Sequence, residues 1–123
     1  MKVGEMIAQF DLHAPNVVEQ DEKIRWLSRI DGMVYNELIE THEGGHENDF
    51  EGYSQGAEGC DLLIDDNHCD VYLYYMDMRL YYDLGESTRY NNAKAQFDEC
   101  YAAYSRWYHK HHTPKRSAVR WGW

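Results

Sequence analysis

The residues with the most explicit chemical pattern are His42, Glu43 and His46, which stand as His42-Glu43-Gly44-Gly45-His46 and satisfy the H-E-x-x-H pattern of zinc proteases. In that chemistry two imidazoles one helical turn apart face a single zinc ion, and the glutamate takes a proton from the metal-bound water. Gly44 and Gly45 work against it, because two consecutive glycines cost a helix about 2 kcal/mol relative to alanines. After His46 the chain continues in acids and further glycines rather than in an apolar helical pattern. The residues therefore favour a chance match in a surface loop, with a small zinc-dependent metalloprotease as the alternative.

The remaining constellations are weaker. Cys60, His68 and Cys69 are metal-binding types at a spacing that fits none of the common zinc frames. Asp61, Asp65, Asp66 and Asp70 suggest calcium, but no glycine stands where an EF-hand loop must turn and no glutamate closes it. His109, His111 and His112 fall where a helix should end, a place in which cations complement the helix dipole. There is no phosphate-cradling glycine loop and no G-x-S-x-G elbow. Cys60, Cys69 and Cys100 make an odd count without a C-x-x-C, so reduced thiols are expected rather than a disulfide framework. The expectation is a non-enzyme without cofactor or metal.

Helices must position these side chains. Val3, Met6, Ile7 and Phe10 recur at helical spacing until His13, Ala14 and Pro15 end the run. From about Glu19 to Thr41, Ile24, Leu27, Ile30, Val34 and Leu38 recur every three or four residues, and Gly32 weakens that helix without breaking it. Positions 42 to 70 lose the periodicity and collect five glycines and nine acids, a long loop in which Phe50 and Tyr53 serve as pins to the core and Leu62, Leu63 and Ile64 predict one short strand. Asp65, Asp66 or Asn67 then caps a helix running to Leu84, with Leu73, Met76, Leu80 and Leu84 on one stripe and Tyr72, Tyr75 and Tyr82 on another. Gly85 suits a left-handed helix end. Tyr90, Ala93, Phe97, Cys100, Tyr104 and Trp107 predict a last helix over about 87 to 110, stopped by Thr113 and Pro114. The predicted class is mainly α: a bundle of about four helices over residues 1–112, with a long, partly extended loop between the second and third helices and an extended C-terminal arm over 113–123.

A chain of 123 residues suits one domain with its own core. No stretch approaches the roughly 20 apolar residues of a membrane span, and the first residues do not form a signal peptide's apolar run. Charge is divided unevenly. All 22 acids lie before residue 109, beside eight basic residues, for a net charge of −14, whereas residues 109 to 123 hold Lys110, Lys115, Arg116 and Arg120 with no acid. An acidic body repels phosphates, which disfavours general nucleic-acid binding outside the tail. The tail joins its charges to Trp121 and Trp123, an Arg/Trp mixture enriched where proteins dock.

The segment Lys23-Ile24-Arg25-Trp26-Leu27, continuing to Ile30-Asp31-Gly32, resembles the opening helix of small head-tail adaptor (connector, or head completion) proteins of long-tailed bacteriophages. A stronger similarity runs over the last two helices, in Tyr72-Leu73 to Tyr82, Gly85-Glu86, Arg89-Tyr90-Asn91-Asn92, Phe97 and Tyr104 to Tyr108. Together the two matches cover about two thirds of the chain, in core and turn residues. Members of this family often carry a proline just before the third helix, where this chain has Asp65, Asp66 and Asn67. The resemblance implies a structural virion protein at the head-tail interface, assembled in the host cytoplasm. It implies a homo-oligomeric ring, usually a dodecamer, that docks under the portal protein, extends the channel through which DNA passes without specific binding, and meets the next connector or a tail protein. No membrane is involved. By the same resemblance the arm, with Lys115, Arg116, Arg120, Trp121 and Trp123, reaches for the portal.

Overall fold

The computed structural model describes residues 1–42 and 50–114. Among these, four α-helices carry the architecture: α1 (Val3–His13), α2 (Gln20–Val34), α3 (Asp70–Leu84) and α4 (Ser87–His111). In α1 the predicted positions Val3, Met6, Ile7 and Phe10 are the buried ones. Its first turn is closed by Glu5, whose carboxylate accepts the Lys2 backbone N–H at 2.8 Å, and its last by Ala14 N–H on the Phe10 carbonyl. Pro15 prevents continuation.

Helix α2 begins with Asp21 and Glu22 at its electropositive end and buries Ile24, Leu27, Ile30 and Val34. It passes through Gly32 and runs directly into one π-helical turn, Tyr35–Ile39, in which Glu40 N–H reaches the Tyr35 carbonyl at 2.8 Å. The widened turn brings Tyr35, Leu38 and Ile39 inward and delivers His42 to the core.

The chain then returns along residues 50–69. Phe50 and Tyr53 pack against the core as expected, but the strand expected at Leu62, Leu63 and Ile64 is replaced by a single antiparallel bridge between Lys2 and Asp61. Val3 N–H bonds Cys60 O and Leu62 N–H bonds Met1 O, each at 2.9 Å, and α1 starts too soon for a longer ladder. The next two amides bond to side chains instead: Leu63 N–H to Asp31 and Ile64 N–H to the Tyr72 hydroxyl. Both Leu62 and Ile64 are buried.

Before the third helix Asp65 caps a short 3-10 turn, Asp66–His68, by accepting Asn67 N–H at 3.1 Å, and α3 comes next. Val71, Tyr72, Met76 and Leu80 of α3 are buried, whereas Tyr82 and Leu84, expected on its apolar stripes, are exposed because the last turn extends beyond the core. Gly85 takes φ +70° and closes the helix with Glu86 N–H on Tyr81 O and its own N–H on Tyr82 O. Helix α4 packs back along α3 through Tyr75 against Phe97, 5.6 Å between rings, and buries Ala93, Phe97, Tyr104 and Tyr108. No helix among the described residues is long and apolar enough to cross a membrane.

Candidate docking surface

The residues singled out for the arm, Lys115, Arg116, Arg120, Trp121 and Trp123, lie outside the described residues, as do Glu43 and His46 of the H-E-x-x-H match. The structure does place the root of the arm. Helix α4 ends at His111, His112 is extended, and Pro114 forms an antiparallel bridge with His42.

That junction gathers five of the seven histidines, although they are scattered in sequence. His42 is only 2% exposed. Its Nδ1–H donates to the Leu38 carbonyl at 2.6 Å, since a carbonyl can only accept. In the neutral ring Nε2 then carries the lone pair and accepts a hydrogen bond from His109 Nδ1–H at 2.8 Å. Tyr108 meets the His42 ring edge-on, and His112 stacks on Tyr108 with 3.8 Å between centroids and 9° between planes. His68, oriented by Asp65 at 2.8 Å, lies against Tyr104 and Trp107, and Trp107 stacks on His111. Burial pushes the Tyr104 and Tyr108 phenols above their usual range. Beside them opens a groove of about 260 Å³ lined by Ile39, Leu63, Asp65, Tyr104, Trp107 and His112.

The geometry bears on each metal-binding type of residue. The Nε2 lone pair that His42 would offer a zinc ion is engaged by His109. Cys69 is buried with its thiol directed at the Asp65 carbonyl, while Cys60 is exposed. The four loop aspartates diverge: Asp61 pairs with Lys2, Asp66 with the terminal amine, Asp65 with His68, and Asp70 opens α3. Among the described residues no group of three or more His, Cys, Asp or Glu is arranged to hold a metal ion. What the surface offers is an aromatic, histidine-rich platform around the end of α4.

Sequence reasoning missed three charged residues of the interior, Lys23, Asp31 and Asp77, and placed His42 in a surface loop although it is buried at the end of the π turn. Asp31 is fully buried and accepts hydrogen bonds from Tyr53 OH, Tyr72 OH and Leu63 N–H, tying the loop and α3 to α2. Burial and the facing Asp31 carboxylate push both phenols far up. Its signal was present, because Asp31 falls on the same stripe as Leu27, Val34 and Leu38. Asp77 on α3 is buried against His13, and Lys23 on α2 is buried with its ammonium on Asp11 at 2.6 Å.

No protein-family model, curated protein or solved structure matches the chain.

Proposed function

We propose that this protein is a head-tail adaptor of a long-tailed bacteriophage: a structural, non-enzymatic virion component that forms a ring under the portal, extends the DNA channel and joins the head to the tail. The observation that carries the reading is the α3–α4 hairpin. Of the residues through which the sequence resembles such adaptors, Tyr72, Phe97, Tyr104 and Tyr108 are buried and Gly85 makes the left-handed turn, while Tyr82, Arg89, Asn91 and Asn92 lie on its exposed face. Other features agree. A body with 22 acids against eight basic residues before position 109 suits a channel that must let phosphates slide past. Leu12, Val17, Tyr82 and Leu84 are exposed apolar side chains available to neighbouring subunits. Closing head-to-tail contacts lets a single chain line such a channel. The arm after Pro114 supplies cations and two tryptophan anchors for the portal.

The test is deletion of the gene in the phage that carries it. The expected result is DNA-filled heads without tails, rescued by supplying the protein in trans. Heads that join tails normally in its absence would overturn the reading.

A further inference from the structure

The carboxylate of Asp77 has one partnered oxygen and one without a partner. Oδ2 lies 2.8 Å from His13 Nε2, where the end of α1 meets α3. Oδ1 is buried and has no hydrogen-bond partner among the described residues, and Asp77 as a whole is 5% exposed. It contributes to the lining of a pocket of about 280 Å³ between α3 and α4, with Tyr74 and Tyr81 on one side and Arg89, Asn92 and Gln96 on the other.

An unmade hydrogen bond at a buried carboxylate is costly, and a cationic donor answers it best, because the charge and the donor arrive together. Burial lifts the Asp77 carboxyl above the ordinary aspartate range and the His13 contact only partly opposes this, so His13 does not fully compensate the charge. The walls narrow the choice of cation. Tyr74 and Tyr81 present aromatic surface to the pocket, and the chain's own Arg89 already holds its guanidinium 5.7 Å from the Tyr81 ring centroid. Asn92 and Gln96 bring amide oxygens that match the spread donors of a guanidinium better than a compact ammonium. The volume falls below the range of about 300–1,000 Å³ typical of small-molecule sites and accommodates one long side chain. The surplus of acids before residue 109 draws such a group from a distance.

We propose that the pocket between α3 and α4, floored by Asp77, is a docking socket for one arginine side chain of a partner protein. Arg89 is its rim, moving off Tyr81 when the partner's guanidinium enters. The proposal is independent of the adaptor reading.

The test uses the full-length 15N-labelled protein and two probes, N-acetyl-arginine methylamide and its neutral citrulline counterpart, followed in amide NMR spectra. The arginine probe should give saturable shifts at Tyr74, Asp77 and Tyr81 with a millimolar dissociation constant, and citrulline should bind about tenfold more weakly or not at all. Asp77→Asn should lose about tenfold in affinity, and Arg89→Ala should gain severalfold by removing the internal competitor. Should Asp77→Asn not fold, Asn92→Trp at an exposed position on the pocket's edge should give the same loss by blocking it. Absence of saturable shifts, equal binding of citrulline, or saturation confined to another part of the molecule would overturn the proposal.

Discussion

The hydroxyl of Tyr72 donates to Asp31 Oδ1 at 2.6 Å and at the same time accepts the backbone N–H of Ile64 at 2.8 Å. Through this one oxygen α3, α2 and the returning loop share a buried polar centre, and Tyr53 OH and Leu63 N–H also donate to Asp31. Such a network stabilises when complete and is costly when broken.

Asp31→Ala leaves the Tyr72 hydroxyl and the Leu63 amide without their acceptor, while the Tyr53 hydroxyl keeps the Asp61 carbonyl at 3.2 Å, and should cost roughly 2–5 kcal/mol. Tyr72→Phe should cost about 1–3 kcal/mol, since it leaves Ile64 N–H unpaired. Urea unfolding followed by circular dichroism measures both, and the double variant should fall short of the sum because the residues touch. A loss below about 1 kcal/mol for Asp31→Ala would remove the network from the account of stability.

Two left-handed glycines should respond differently to alanine. Gly85 has open space where a Cβ would stand and only its φ of +70° to defend, so Gly85→Ala should cost about 1 kcal/mol. At Gly52, φ +93°, an added Cβ would sit 2.8 Å from Ser28 Oγ, which accepts the Tyr53 N–H. Gly52→Ala should therefore be the more damaging of the two in the same unfolding assay.

The thiols should separate by reactivity and by pH. Burial pushes the Cys69 thiol up to about 11, so iodoacetamide at pH 8 should label exposed Cys60 and spare Cys69 until the protein is unfolded. Because the folded value lies above the unfolded one, the stability this thiol contributes is fully present below pH 9 and falls away as pH rises toward 11. Peptide mass mapping reads the first effect, and a Cys69→Ala variant with a flatter alkaline stability profile reads the second.

Histidine tautomers offer a spectroscopic check on the arm's root. The Leu38 carbonyl requires His42 to carry its proton on Nδ1, and acceptance by His42 Nε2 requires the same of His109. Long-range 15N–1H spectra at pH 8 should show both as Nδ1–H tautomers, the minority form for free imidazole. An Nε2–H tautomer at His42 would mean that the pair is not formed.

How much of this could be read from the residues differs by kind. The helices were legible because Val3, Met6, Ile7 and Phe10, or Phe97 and Tyr104, repeat with the helical period, and Gly85 marked the α3–α4 turn directly. The strand expected at Leu62–Ile64 does not form because an apolar run says what is buried, not which partner takes the amides; Asp31 and Tyr72 take them. The His42–His109 contact joins residues 67 positions apart and rests on a π turn that no local pattern announces. The pocket at Asp77 depends on the register of α3 against α4, which spacing along one helix does not encode.

The arm carries its own prediction. Removing residues 115 to 123 takes away Lys115, Arg116, Arg120, Trp121 and Trp123 but none of the buried core among the described residues. The shortened protein should keep its helical circular dichroism and lose attachment to portal-bearing heads, with each tryptophan worth about 2 kcal/mol or more of the binding. Normal attachment by this variant would place docking on the bundle or the central loop.

The most direct test of the adaptor reading is to image purified virions by electron microscopy and count the copies of this chain at the head-tail junction. The account predicts a closed ring of identical subunits seated beneath the portal with the channel at its centre. One or two copies per particle, or density located anywhere but that junction, would contradict it.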